Sequence, residues 1–163
     1  MADRAIREEG LPPMPEVLFY HLEHRPLEAV LPGLLERCVE RGWRVAVQSP
    51  SEERLESLDA HLWTYRDDGF LPHGLGSDRD AAEQPVLLTS DDGRPNGARV
   101  RFLIDGAPFP DDASNYDRLV LLFDGSDPDA LAAARAQWQA ATAGGFETAY
   151  WQQNAQGKWE RKN

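Results

Sequence analysis

The sequence LVLLFDGSDPD, residues 119–129, decides the fold class. It opens on the most hydrophobic run of the chain, and an uninterrupted apolar run is typical of a strand buried on both faces of a parallel sheet. Asp127 and Pro128 predict that a helix follows, because aspartate caps the free N–H groups of a first turn and proline fits the first helical position. This Ala-rich helix is expected to end at Gly144 and Gly145. A central strand that leads directly into a helix indicates an α/β domain.

Four further strands are predicted upstream of this stretch. They are short apolar runs at residues 17–20, 43–47, 85–89 and 100–104. The segment DDGRPNG at 91–97, between the last two runs, has turn chemistry that permits either a hairpin or a wider connection. The polar segment 74–84 and the proline-containing segment 107–115 are expected to be loops.

Two helices are predicted between these strands. Apolar residues recur at every third or fourth position over 27–39, which predicts an amphipathic helix. Pro32 is expected either to kink this helix or to lie near its true start, and Gly42 is expected to end it. The motif SPSE at 49–52 predicts that Ser49 caps the second helix.

The amino-acid composition indicates an ordered globular protein and disfavours a nucleic-acid-binding one. A chain of 163 residues with 41% hydrophobic residues is long enough for one ordered domain with a real core. Acidic residues outnumber basic ones by 28 to 17, which gives a net charge of −11. Tight nucleic-acid binding requires a basic face that neutralises phosphates, so strong direct binding is disfavoured. Proteins and small molecules are the expected partners.

The chain ends and the single cysteine favour a cytoplasmic protein. Cys38 alone cannot build a disulfide framework or a thiolate zinc site, and it fits a reducing compartment as a buried, inert thiol. The charged first residues do not resemble a signal peptide, and no apolar run approaches the roughly 18 residues of a membrane span. We expect a flexible arm at 1–15, an α/β domain at 16–151 and a polar tail at 152–163.

Motifs for cofactor chemistry are missing from the sequence. The first strand is followed by HLEHRPLE, without a glycine-rich phosphate loop, so no cofactor is predicted. The four histidines lack a recognisable metal-ligand spacing, and no metal is predicted either: His21, His24, His61 and His73. Two alternatives stay open. One is a small α/β enzyme, such as a hydrolase, in which His73 acts with Asp67 or Asp68; the other is a degenerate nucleotide-binding domain with a ligand at the strand ends.

The last predicted helix carries a pattern that suits peptide binding. Leu131, Arg135 and Trp138 share one face, on which a guanidinium and apolar neighbours can take an acidic peptide with a hydrophobic end. The alternative, which the pattern alone favours, is that Leu131 and Trp138 pack on the sheet while Arg135 extends into solvent.

The stretch LDAHLWTYRDDGFLPHG, residues 58–74, carries a second pattern of this kind. Trp63 and Phe70 flank an acidic turn, and Leu71 and Pro72 extend the apolar surface. Large aromatics are common anchors of protein interfaces, but at the end of an amphipathic helix they also form cores. The pattern supports both interpretations equally.

Three stretches together resemble the chi subunit family of bacterial DNA polymerase III. They are EVLFYHL at 16–22, ERGWRVAV at 40–47 and SLDAHLWTYRDDGFLPHG at 57–74. The order of the later elements agrees, through the strand DRLVLLF and the helix that ends in AGGF. The resemblance covers about residues 16–151.

The resemblance implies a single-domain Rossmann-like fold, mostly parallel and flanked by helices, that is not an enzyme and binds no nucleotide. It implies docking of the acidic C-terminal tail of single-stranded DNA-binding protein, in which Arg135 falls on the tail-binding arginine and Trp138 on its aromatic neighbour. Phe123 and Asp124 fall on the lining of the same pocket. Two departures remove favourable charge: Leu131 stands in place of a lysine, and Asp124 in place of an apolar residue.

The resemblance also implies a second docking surface. Trp63 and Phe70, extended by Leu71 and Pro72, fall on the surface that the family uses for the psi subunit of the clamp loader and, in some bacteria, for a helicase.

Overall fold

The computed structural model describes residues 15–65 and 71–163. Over these residues the chain forms eight strands and three α-helices. Their bounds are β1 Glu16–Leu22, α1 Leu27–Glu40, β2 Val45–Gln48, α2 Glu52–Thr64, β3 His73–Leu75, β4 Val86–Thr89, β5 Val100–Leu103, β6 Arg118–Asp124, α3 Pro128–Ala143, β7 Glu147–Gln153 and β8 Trp159–Arg161. Most of the predicted arm at 1–15 lies outside the described residues.

The strands form one sheet in the order β3-β4-β2-β5-β6-β1-β7-β8. Every neighbouring pair is parallel except β7 and β8, so the predicted mostly parallel α/β sheet is confirmed. The run 119–123 lies in β6, between β5 and β1 in the middle of the sheet, as predicted. Because β2 separates β4 from β5, the turn at 91–97 belongs to a wider connection and not to a hairpin.

The helices cover both faces of the sheet. Apolar residues of α1 and α2 pack with alternate strand residues such as Val120 and Leu122. The intervening residues Leu119 and Leu121 face the other side, where they pack with Trp138 of α3. Since β1 and β6 are neighbours whose following helices lie on opposite faces, their carboxyl ends form the switch point at which α/β domains commonly open a cleft.

Helix α1 continues through Pro32, which lies inside it and not at its start. Proline has no N–H to donate to the carbonyl of Glu28, four residues earlier. His61 of α2 contacts that carbonyl instead, with its Nε2 2.8 Å from the oxygen. A side chain from outside the helix thus replaces the hydrogen bond that Pro32 cannot make.

Glycine ends α1 as predicted. Gly42 adopts φ +78° and donates to the carbonyl of Val39, while Trp43 donates to that of Cys38. This pair of hydrogen bonds is a Schellman motif, which favours glycine because its left-handed conformation strains other residues. It turns the chain sharply from α1 into β2.

The predicted cap of α2 was wrong by two residues. The helix begins at Glu52, and Ser51 is its N-cap, accepting from the backbone N–H of Arg54 at 3.2 Å. Ser49 instead extends the sheet, since its N–H donates to the carbonyl of Thr89. Its hydroxyl donates to Asp105 at 2.9 Å. Ser49 is fully buried, and the parallel ladder therefore takes precedence over the capping pattern.

Two predicted irregular segments contain strands. Residues 73–75, at the start of the predicted loop, form the edge strand β3 beside β4. At the other edge, residues 147–153 form β7 beside β1, and 159–161 form β8. The segment expected as a polar tail therefore includes the end of β7 and all of β8. Within the described residues, no helix is both long and apolar enough to cross a bilayer.

Candidate functional site

Aromatic side chains gather near the carboxyl ends of three neighbouring strands, under helix α3. We call this set the Tyr150 cluster: Phe19 and His21 of β1, Phe123 of β6, Trp138 of α3 and Tyr150 of β7. The parallel register explains the gathering, because His21 pairs with Phe123 and Phe19 pairs with Tyr150. Paired residues of adjacent parallel strands point to the same face of a sheet.

The rings of the cluster pack mainly edge to face around Tyr150. Trp138 lies 5.7 Å from the Tyr150 ring and 5.3 Å from the Phe19 ring, measured between centroids. Phe123 lies 6.0 Å from Tyr150 at an interplanar angle of 64°. These arrangements are favourable for aromatic pairs. Trp138 and Phe123 remain only half-buried, so part of each ring is open to a partner.

A polar chain runs through the cluster. The Tyr150 hydroxyl lies 2.8 Å from Nδ1 of His21, and Nε2 of His21 lies 3.1 Å from Glu23. Burial raises the pKa of Tyr150, the positive charge of Arg135 opposes that rise, and Glu23 adds to it. Tyr150 therefore stays a neutral hydroxyl near pH 7 and is no activated nucleophile. The hydrogen bond between Tyr150 and His21 orients these two rings.

Arg135 is the exposed cation beside the cluster. It projects from α3 close enough to act on Tyr150, and no acidic side chain of residues 15–65 and 71–163 forms an ion pair with it. Leu131, one turn earlier, is half-buried. Trp138 packs on the sheet, which is the alternative that the helix pattern alone favoured. Both Trp138 and Leu131 nevertheless keep exposed surface next to the guanidinium of Arg135.

Asp124 lies next to Phe123 but points to the opposite face of the sheet, because it pairs with Leu22 of the other core cluster. Its carboxylate accepts hydrogen bonds from the N–H and hydroxyl of Ser126, at 2.9 and 2.6 Å. These bonds hold the pKa of Asp124 below its usual range, so the group is charged at neutral pH and engaged by its own turn. Of the five residues expected at the tail site, Phe123 and Trp138 are brought together around Tyr150, with Arg135 and Leu131 along the same helix edge.

Sequence reasoning missed Tyr150 and His21 as members of this site. No strand is predicted around Tyr150, and His21 is named only among the histidines that lack a metal-ligand spacing. The signal that was available is the alternation in ETAYWQQ after Gly145, which is typical of a strand.

A cleft of about 830 Å³ opens at the switch point between β1 and β6, beside the Tyr150 cluster, and Phe123 lines both. Its lining includes two arginines, Arg25 and Arg54, and six carboxylates: Glu23, Glu28, Asp105, Asp124, Asp127 and Asp129. Arg54 is already engaged, at 2.6 Å from Glu28 and 3.1 Å from Asp105. A phosphate would meet an excess of negative charge here. The cleft therefore disfavours the degenerate nucleotide-binding alternative.

The start of α3 supports the same conclusion. Asp127 caps the helix by accepting from the N–H of Asp129 at 3.0 Å. In nucleotide-binding α/β domains, free N–H groups at a helix N-terminus can bind a phosphate. In this chain a carboxylate of the chain itself occupies that place.

Trp63 is an exposed aromatic residue at the end of α2. Its side chain is 53% exposed, the largest exposure of any bulky hydrophobic residue described. One face is supported by His73, whose ring centroid lies 4.5 Å away. Leu71 is only 2% exposed and packs in the core, so it offers little surface to a partner, while Pro72 is half-buried. Phe70 lies outside the described residues.

His73 is poorly placed for the hydrolase alternative. It is buried, with Nδ1 2.7 Å from the carbonyl of Leu71 and Nε2 3.1 Å from that of Asp59. Both nitrogens face acceptors and neither is free to take a proton from a substrate. Asp67 and Asp68 lie outside the described residues. Cys38 is buried as predicted, and burial raises the pKa of its thiol.

Comparison with known proteins agrees with the resemblance read from the sequence. Residues 14–149, well over half of the chain, match the family described as "DNA polymerase III chi subunit, HolC". One similar protein is the "Probable DNA polymerase III subunit chi" of Rickettsia prowazekii (strain Madrid E), 28% identical over 97 residues. Another is the "DNA polymerase III subunit chi" of Pseudomonas aeruginosa, 33% identical over 72 residues.

Each of these two matches covers only part of this chain and only part of the relative. The first covers 60% of this chain and 59% of the relative, and the second covers 44% and 48%. The family match is much longer, and the chi subunit family is a non-catalytic accessory subunit of DNA polymerase III. The match extends from β1 into β7, so it includes β1, β6 and α3 and ends one residue before Tyr150. The chain therefore belongs to the DNA polymerase III chi subunit family.

Proposed function

We propose that this chain is a non-catalytic replisome adaptor that docks the acidic C-terminal tail of single-stranded DNA-binding protein at Arg135 and the Tyr150 cluster. By this contact it links the clamp loader to the coated template, in the cytoplasm. The observation that supports the proposal is an exposed guanidinium, without an ion-pair partner among the described residues, beside half-buried aromatic rings. Family membership supports the replisome setting.

The arrangement suits a peptide that ends in an aromatic residue. A guanidinium can bind a carboxylate through two parallel hydrogen bonds, which fixes the direction of the peptide. The exposed parts of Trp138 and Leu131 then offer apolar contact to the terminal side chain. Asp124 and Glu23 add negative charge nearby. Arg135 is thus the principal attractive charge, and its removal should affect binding strongly.

A peptide titration tests this proposal. Fluorescence anisotropy measures binding of a labelled peptide that ends in several acidic residues and a terminal phenylalanine. Charged hydrogen bonds contribute about 1.5–3 kcal/mol, so Arg135→Ala should weaken binding about tenfold or more. Arg79→Ala is a matched control, because Arg79 is an exposed arginine in the segment after β3, at the opposite sheet edge from β7.

Two outcomes would contradict the proposal. One is equal affinity of wild type and Arg135→Ala for the peptide. The other is an affinity that does not fall with added salt, since an exposed arginine–carboxylate contact is screened by ions.

We also propose that Trp63, with Pro72 and Phe70, contacts the psi subunit or a helicase. The exposure of the Trp63 ring and its support by His73 favour this role, because a preorganised aromatic anchor loses little entropy on binding. Trp63→Ala should weaken binding to purified psi while leaving peptide binding intact, and Arg135→Ala should do the reverse. Parallel loss in both assays would argue against two separate surfaces.

A further inference from the structure

A strongly basic cleft lies at the amino ends of the strands, opposite the end that carries His21 and Phe123. It has a volume of about 780 Å³ and is lined by Trp43 and four arginines: Arg41, Arg44, Arg99 and Arg118. A neighbouring depression shares three of these residues and adds Arg37. We call the two together the arginine cleft.

Strand register places three of the arginines at the starts of neighbouring strands. Arg44 and Arg99 immediately precede Val45 and Val100, which are paired between β2 and β5. Arg118 begins β6 and is itself paired with Val100. Adjacent strands lie about 4.8 Å apart, so neighbouring guanidinium groups start from closely spaced backbones.

The Schellman turn at the end of α1 supplies the other side of the cleft. It places Arg41 and Trp43 on either side of Gly42, directly before β2. The guanidinium carbons of Arg41 and Arg118 each lie 5.0 Å from the Trp43 ring centre. Trp43 therefore gives the cleft an apolar floor that holds cations in place.

The positive charge of the cleft is only partly compensated. Asp117 binds Arg99 through two hydrogen bonds of 3.0 Å, and Glu16 binds Arg118 at 3.0 Å. Across the described part of the chain, no acidic side chain forms an ion pair with Arg37, Arg41 or Arg44.

Arg44 donates instead to two backbone carbonyls, at 2.9 and 3.1 Å. In a chain of net charge −11, this concentration of arginines is a local reversal of sign.

A purely structural role accounts for only part of this cluster. Cations near the C-terminus of a helix are favourable, which explains Arg37 and Arg41 at the end of α1. Arg44, Arg99 and Arg118 come from three strand starts and make the carbonyl and carboxylate contacts given above, but two carboxylates do not cancel the charge of all the arginines in the cleft. The convergence of positive charge from four elements on one cleft is the observation from which we argue a ligand.

We propose that the arginine cleft binds an acidic peptide segment of a partner protein that also carries apolar side chains. Carboxylates would pair with Arg41 and Arg44, and an apolar side chain would contact Trp43 and Val100. Single-stranded nucleic acid fits less well, because its binding sites usually follow several nucleotides along a basic groove. Here the basic region is one bounded cleft on an acidic molecule. The proposal does not depend on peptide docking at Arg135.

The test uses the full chain and a labelled peptide of alternating aspartate and leucine whose C-terminus is amidated. The amide removes the terminal carboxylate, so the peptide is a poor ligand for the Arg135 site. The double variant Arg41→Gln, Arg44→Gln removes two guanidinium groups that have no ion-pair partner among the described residues, which limits damage to folding. Arg135→Gln is the matched control at the opposite end of the sheet.

We expect the double variant to lose about tenfold or more in affinity, with no change for Arg135→Gln. In NMR spectra, the indole N–H signal of Trp43 should shift on addition of peptide to wild type. Equal binding by the double variant would overturn the proposal, as would an unmoved Trp43 signal at saturation. Tighter, equally arginine-dependent binding of an oligothymidylate would assign the cleft to nucleic acid and overturn it as well.

Discussion

The hydrogen bond between His61 and α1 gives a quantitative test of how this chain tolerates a proline inside a helix. Pro32 cannot donate to the carbonyl of Glu28, and Nε2 of His61 lies 2.8 Å from that oxygen. His61→Ala should leave the carbonyl without this partner. A lost hydrogen bond costs about 1 kcal/mol, and more where water does not replace it. For a chain of this size, that corresponds to a fall in Tm of roughly 2–4 °C.

A double-mutant cycle isolates the effect. In Pro32→Ala, residue 32 regains an N–H that can donate to Glu28, so removing His61 should then cost less. The expected coupling energy is about 1 kcal/mol, measured from urea unfolding of wild type, the two single variants and the double variant. His61 also lies near Tyr65, with ring centroids 6.3 Å apart, but loss of that contact is common to both backgrounds and cancels.

The refuting result is an equal cost of His61→Ala in both backgrounds, within about 0.3 kcal/mol. That outcome would mean that water satisfies the carbonyl of Glu28 as well as His61 does. His24→Ala is the matched control, because His24 is an exposed histidine just before α1, and it should change stability little.

Two further predictions concern a glycine and an aspartate. Gly125→Ala should destabilise the fold by about 2 kcal/mol or more in urea unfolding, because a Cβ there would lie 1.8 Å from Nε2 of His21. Gly33→Ala, on an exposed helical site with nothing within 4 Å, should stabilise by about 0.5–1 kcal/mol; equal effects of the two would contradict the packing. Hydrogen bonds from the Gly93 N–H and then from Thr89 lower the pKa of Asp91. The charged Asp91 should stabilise the fold fully above its unfolded pKa near 4, and this stabilisation should be lost as pH falls through the lower folded pKa. Asp91→Asn should therefore make Tm depend less on acid pH. An unchanged profile of Tm against pH would argue against this role of Asp91.

The local signals of the sequence predicted most elements but not all of their ends. The glycine stop at Gly42 is a property of a few neighbouring residues and was correct. The predicted cap at Ser49 was wrong because the N–H of Ser49 donates to Thr89 of β4, a residue that is far away in the chain. Strand β3 was missed because three residues at a sheet edge carry too short a pattern to detect.

The candidate site was predictable to a similar extent. Helical spacing placed Leu131, Arg135 and Trp138 on one edge of α3, but it could not say which of them would pack on the sheet. That outcome depends on Phe19 and Tyr150, which are far away in the chain and meet Trp138 only through strand order. Exposure of Trp63 and burial of Leu71 were likewise decided by packing.

The sequence by itself determined the α/β class, the central position of residues 119–123 and the absence of a phosphate loop. Periodicity, capping residues and glycines are local, and they specify elements without reference to the rest of the chain. Only the tertiary structure decided the strand order. It also decided the burial of Arg101. This strand residue is fully buried, and its guanidinium donates to carbonyl and side-chain oxygens. The arginine cleft arises in the same way, because register and a helix end bring together charges that are scattered over residues 37–118.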